Sequence, residues 1–97
     1  MDIAHGIEEL LFVWNDRKAW SNATKHGVTF EEAAEVFLDP FAQGGDASVY
    51  GEARGFFLGC SLDLRILFVV YTERGAVTRI ISSRPATRAE TKRYEER

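Results

Sequence analysis

The sequence predicts an α+β domain in which two N-terminal helices pack on an antiparallel β-sheet and a C-terminal helix follows. Three observations carry this expectation. Residues 66–71 (ILFVVY) and 77–81 (VTRII) are apolar runs rich in β-branched and aromatic residues, separated by Thr72-Glu73-Arg74-Gly75-Ala76, the pattern of a β-hairpin. The first run is apolar at nearly every position, so its strand is expected to be covered on both faces, with helices from elsewhere in the chain as the covering layers. Helix starts are marked by Asn15 or Asp16, and by Thr29 and Thr87, the last two with a glutamate three residues on, the capping-box spacing. A chain of 97 residues is one domain, too short for two cores.

Taken in order, residues 1–9 read as a loose leader, and 9–14 (ELLFVW) as a short first strand. A helix then runs from the Asn15 or Asp16 cap through Ala23, with Ala19, Trp20 and Ala23 expected on its buried face. Gly27 follows at the position after the helix end, with Lys25 and His26 in the last turn, where cations suit the helix dipole. The second helix, 31–38, turns Ala33, Ala34, Phe37 and Leu38 inward and stops at Asp39-Pro40. Residues 41–51, with Gly44-Gly45 and small polar side chains, read as a surface loop. Residues 52–60 read as a second strand kinked at Gly59, and 61–64 as the turn into the hairpin. Pro85 ends the sheet, and the tail from Thr87 is a charged helix with few apolar anchors.

If Thr72 pairs with Val77 in the hairpin, Arg65 falls opposite Arg84. Like charges directly opposite on a sheet are unfavourable, so two such guanidiniums call for an anion, either a carboxylate of the same chain or a phosphate. Strand-end charges in solvent are the plainer alternative.

Charge is uneven. The chain carries net −3, which by itself argues against nucleic acid as a partner. Residues 1–51 hold three basic and nine acidic side chains, whereas 52–97 hold nine basic and six acidic ones. Arg54, Arg65, Arg74, Arg79, Arg84, Arg88, Arg93 and Arg97 all lie in the second half, so a basic surface can exist on an acidic protein. The single cysteine, Cys60, can form neither an internal disulfide nor a cysteine metal site, and fits a reducing cytoplasm. No run is long and apolar enough for a transmembrane helix, and the N-terminus lacks the pattern of a signal peptide. His5 and His26 lack neighbours at ligand spacing, so no metal or other cofactor is expected.

The candidate chemistry lies elsewhere. His26 is either a general acid–base, since histidine is the side chain that most readily changes charge near neutrality, or a helix-end residue packed beside Gly27. Glu52 and Arg54, two apart on a strand, form an ion pair or else a base beside a phosphate-neutralising cation. Arg79, within an apolar strand, is an edge charge or the partner of a carboxylate, and Tyr71 is a core ring or a stacking platform.

The ordered set Phe12-x-Trp14, Lys18, Asn22, Lys25-His26-Gly27-Val28, Phe30-Glu31-Glu32-Ala33 and Val36-Phe37-x-Asp39-Pro40 resembles the BrnT toxin family. The resemblance continues through Glu52-x-Arg54, Gly59, Arg65, Val69 to Arg74, Arg79-Ile80-Ile81-Ser82-x-Arg84-x-Ala86, Glu90 and Tyr94-Glu95, and so spans about residues 10–95. Asn15 stands where members often carry aspartate, and Leu64 where a glycine often precedes the arginine. The resemblance implies a RelE-like fold and a cytoplasmic type II toxin, a ribonuclease that stops translation by cutting RNA without metal. It also implies a ribbon-helix-helix antitoxin partner of the BrnA type, through which alone DNA would be bound. On that basis Glu52, Arg54, Arg65, Tyr71, Arg79, Arg84 and His26 are the expected catalytic set, and Lys25, Arg74 and Arg88 the expected RNA contacts. Glu52 or His26 would be the base, and the arginines the phosphate clamps. An inactive binding module that serves only as the antitoxin's partner and co-repressor is the alternative.

Overall fold

The structure, a computed structural model, describes residues 1–96; Arg97, counted above among the arginines, lies outside them. The α+β expectation holds, with a six-stranded sheet in the order β1-β2-β6-β5-β4-β3. The strands are β1 (Asp2–Ile7), β2 (Leu10–Asn15), β3 (Gln43–Asp46), β4 (Gly55–Cys60), β5 (Ile66–Arg74) and β6 (Val77–Pro85). The helices are α1 (Asp16–His26), α2 (Phe30–Glu35), continued by a 3₁₀ turn Val36–Leu38, and α3 (Arg88–Glu95). The hairpin β5–β6 lies at the centre of the sheet. The sheet is mixed rather than purely antiparallel, because β2 runs parallel to β6 through Leu11↔Val77, Phe12↔Thr78 and Val13↔Arg79.

Two segments expected to lack regular structure are strands. The supposed leader is β1, paired antiparallel with β2 from Asp2↔Asn15 to Ile7↔Leu10 across the turn Glu8-Glu9. Its alternation of Ile3, His5 and Ile7 places one face inward: His5 lies 5.3 Å from the ring of Trp14, and Ile7 packs on the core. Within the supposed loop 41–51, Gln43–Asp46 adds the short edge strand β3 to β4. The strand expected from Glu52 begins only at Gly55, with Glu52 in a small turn closed on Val49.

The hairpin is real, but its register differs from the expected one. Arg74 pairs with Val77 across the two-residue turn Gly75-Ala76, and a bulge between Val70 and Tyr71 leaves Ile81 outside the ladder. Arg84 therefore faces Phe68 rather than Arg65. Two causes add: the tight turn pairs Arg74 rather than Thr72 with Val77, a shift of two residues, and the extra residue on β6 at the bulge shifts all pairing beyond it by one more.

The core joins Phe12 and Trp14 of β2, Val28, Phe30, Ala33, Ala34 and Val36, and Leu67, Val69 and Ile80 of the hairpin. Trp14 meets Phe30 edge-on at 5.8 Å, and Phe37 meets Phe12 edge-on at 5.0 Å. Thus α2 covers the sheet, whereas α1 lies along the upper part of β6, beyond the residues that β2 pairs. Asn22 does there what a further strand would do. Its amide donates to Ser83 O at 2.8 Å and accepts from Ser83 N at 3.1 Å, while its Nδ2 also reaches Val28 O. Because α1 flanks the sheet in this way, Ala19 touches the core but Trp20 does not: it is 72% exposed, against expectation.

Gly59 marks a close approach, not a kink. A Cβ there would lie 2.8 Å from Val36 Cγ1 and 3.1 Å from Ala42 Cβ, so the bare backbone lets the 3₁₀ turn sit on β4. The C-terminal helix has a firmer anchor than its composition suggests. Tyr94 is buried, and its hydroxyl donates to Asp39 Oδ2 at 2.5 Å; the same carboxylate accepts from Cys60 N and Phe41 N.

Candidate active site

Strand alternation sets the stage. In the hairpin, Tyr71 and Ile80 face the core, so Thr72 and its partner Arg79 lie on the opposite face. There, a cavity of about 430 Å³ is lined by Lys18, Glu52, Ala53, Arg54, Thr72, Glu73, Arg74, Arg79 and Ile81. A second cavity, of about 250 Å³, is lined by Lys18, Ser21, Asn22, Lys25, His26, Ile81 and Ser82. Lys18 and Ile81 belong to both, so the two form one groove from the end of α1 to the loop before β4.

Each cation has a local reason for its place. Asn15 accepts from Lys18 N at 3.1 Å, capping α1 and holding Lys18 in its first turn. A lysine there is disfavoured by the helix dipole, so the position is not explained by helix stability. Gly27, at φ 69°, ends α1 with its N–H on Ala23 O and so leaves Lys25 and His26 in the last turn, at the groove's far end. Arg54 is held by Glu52, with Nε and Nη2 at 3.1 and 3.0 Å from Oε1. Ser48 Oγ fixes the backbone by accepting from Arg54 N at 3.0 Å. Arg79 reaches across β2 to Asp2, with Nη2 2.7 Å from Oδ2 and Nη1 3.4 Å from Oδ1. That contact holds the Asp2 carboxyl below its usual range.

Of the residues predicted from the sequence, Glu52, Arg54, Arg74, Arg79, Lys25 and His26 thus line one groove. Tyr71 lies beside it, lining an adjoining hollow with Asp46, Ser48, Arg54 and Gly55. Its ring stacks on Phe57 and meets Phe37 edge-on, and a Cβ at Gly55 would lie 2.8 Å from its hydroxyl oxygen. Burial raises the phenol above its ordinary range, with Glu73 adding to the effect, so it stays protonated at neutral pH.

Arg65, Arg84 and Arg88 do not line the groove. Arg65 donates to Glu32 through Nε at 2.9 Å and through Nη2, and to Gly27 O at 2.9 Å. Glu32 was expected to complete a capping box at Thr29. It does accept at its backbone end, with Glu32 N on Thr29 Oγ1, but its carboxylate is drawn instead to Arg65 and to Ser61 Oγ. Arg84 forks onto Glu90, at 2.7 and 3.0 Å, and lies over the ring of Phe68. Each of the two guanidiniums has a protein carboxylate of its own. The expectation of one phosphate shared by Arg65 and Arg84 rested on their opposition in the hairpin, which the register removes. Arg88 is exposed at the start of α3.

Lys18, which lines the groove, and Asp2, which holds Arg79, were not among the residues expected at the site. Lys18 had a signal, a lysine in the first turn of a helix. Asp2 had none, because its strand was not recognised. Among the described residues, no cluster of histidine, cysteine and carboxylates suits a metal ion, and no helix is long and apolar enough to cross a membrane.

Comparison with known proteins supports the fold. A search of curated protein sequences gives no match. Among solved structures, the Brucella abortus ribonuclease toxin BrnT is similar, at a TM-score of 0.61 and 27% identity over 77% of this chain and 94% of that one. A family model for the ribonuclease toxin BrnT of type II toxin-antitoxin systems matches residues 14–90, a span that takes in α1, α2, the central hairpin and most of the groove. The chain therefore belongs to the BrnT family of ribonuclease toxins of type II toxin-antitoxin systems.

Proposed function

We propose that the groove between α1 and the β5–β6 hairpin is the RNA-cleaving site of a metal-independent endoribonuclease that halts translation. The observation that carries this reading is the convergence of Arg54, Arg74, Arg79 and Lys18 with the carboxylate of Glu52 around one cavity. RNA supplies its own nucleophile. The 2′-oxygen attacks the adjacent phosphorus as a base removes its proton, the bond to the 5′-oxygen breaks, and a 2′,3′-cyclic phosphate and a 5′-hydroxyl result. Such a step needs a base and cations around the phosphoryl oxygens. Glu52 is the base in this reading, held by Arg54, and Arg54 and Arg79 take the phosphoryl oxygens. Lys25, His26 and Lys18 hold the strand on one side, Arg74 on the other. Tyr71, which shares the adjoining hollow with Arg54 and stays protonated, is read as the donor to the leaving oxygen.

Arg65 and Arg84 serve the site indirectly in this reading. Arg65 ties the 61–64 turn to α2 and to the end of α1, and Arg84 holds α3 to the sheet. The helices beside the sheet are read as a RelE-like arrangement. The antitoxin partner is read as a BrnA-like ribbon-helix-helix protein of the cytoplasm, which inhibits by covering the groove and contacts DNA itself. Cleavage of labelled RNA in excess EDTA, with the products mapped at their ends, tests the proposal. Cutting with cyclic-phosphate ends supports it. No cutting by a folded protein would leave the inactive co-repressor module as the better account.

A further inference from the structure

We infer that Asp2 is an affinity-setting residue: its carboxylate occupies the fork of Arg79 and competes with RNA phosphate for it. The inference rests on the groove being an RNA site and goes beyond it. Arg79 lies on the groove face of β6, yet its guanidinium is engaged across the full width of β2 by a residue of β1. The contact is a two-pronged one, with both carboxylate oxygens facing both terminal nitrogens, the same geometry the fork offers to a phosphate.

Two features make the contact exchangeable. The side chains are 39% and 52% exposed, so the pair is a weak surface ion pair rather than a buried one. Strand pairing and the inward packing of Ile7 and His5 hold β1 without it. A negative charge on Arg79, which lines the groove, also lowers the potential that attracts a polyanion. A phosphate arriving at Arg79 therefore has to displace an anion that the chain itself supplies.

The test measures binding of the full-length protein to a single-stranded 2′-O-methyl oligoribonucleotide, which lacks the attacking hydroxyl, at about 0.1 M salt. Asp2→Asn is expected to tighten binding by about two- to five-fold, the scale of an exposed ion pair. The gain should vanish in an Arg79→Ala background, as a double-mutant cycle requires. Thermal midpoints within a degree or two of the parent would place the effect at the site rather than in the folding of β1. If Arg79→Ala weakens binding but Asp2→Asn leaves it unchanged or weaker, the competition is overturned while the RNA site stands. If Arg79→Ala binds as tightly as the parent, Arg79 is not an RNA contact, and both the assignment and the competition fall.

Discussion

The carboxylate of Glu32 and the guanidinium of Arg65, thirty-three residues apart, form the tie between the helical pair and the central hairpin. Glu32 is almost fully covered, while Arg65 keeps part of its side chain in water. Its hydrogen bonds to Arg65 hold Glu32 below the usual carboxylate range, against the opposing effect of its burial. Removing the arginine strands a covered charge beside Ser61. Arg65→Ala is expected to destabilise the fold by about 2 kcal/mol, less than a fully buried pair because one partner is partly solvated. Denaturant unfolding measures it. Arg65→Lys should recover part of the loss but not the fork.

The pair Arg84–Glu90 gives a pH prediction. Glu90 is held down to about 2 from an ordinary 4.5, chiefly by its hydrogen bonds to Arg84 and then by the Thr87 backbone. A depressed carboxyl stabilises the native state fully above its unfolded value and loses that contribution as pH falls through the folded one. The thermal midpoint of the wild type should therefore exceed that of Glu90→Gln at pH 7, and the two curves should converge between about pH 4.5 and 2. Parallel curves across that range would show that the pair does not stabilise α3.

Leu64 offers a stabilising substitution. It stands in the turn before β5 at φ 63°, a left-handed conformation that costs a branched side chain energy, and it is 84% exposed, so little packing is lost with it. Leu64→Gly should raise stability by about 0.5–1 kcal/mol after the entropy of the freer unfolded chain is counted. Unfolding midpoints in urea decide the sign.

Gly59 is the converse case. A methyl group there would press on Val36 of the 3₁₀ turn and on Ala42 just beyond it, whose N–H is held by Asp39 O. Gly59→Ala should cost about 1–3 kcal/mol by overpacking.

What the sequence disclosed, and what it hid, follows from the range of each interaction. The hairpin, the helix caps and the αL glycine at Gly27 are local and were legible. The register of β5 against β6 depends on a two-residue turn at Gly75-Ala76 and on a bulge, and nothing in residues 70–82 distinguishes Ile81 from its neighbours. The strand β1 was present as the alternation Ile3, His5, Ile7, but the small residues Ala4 and Gly6 between them and the polar His5 among them weakened the pattern. In the site, Glu52 and Arg54 were legible because they are two residues apart. The partners of Arg65, Arg79 and Arg84 were not, because Glu32 and Asp2 reach them through tertiary packing, and Glu90 reaches Arg84 over a turn at Pro85.

The account turns most directly on Glu52. The measurement is the rate of cleavage of 5′-labelled RNA in EDTA by wild type and by Glu52→Gln, alongside their thermal midpoints. Glutamine keeps the shape and a hydrogen bond to Arg54 but cannot take the proton, and Glu52 is exposed, so folding should be unaffected. The expected result is cutting by wild type, a loss of about 10²–10⁴-fold in the variant, and matching midpoints. Cleavage by Glu52→Gln at the wild-type rate would contradict the assignment of Glu52 as the base.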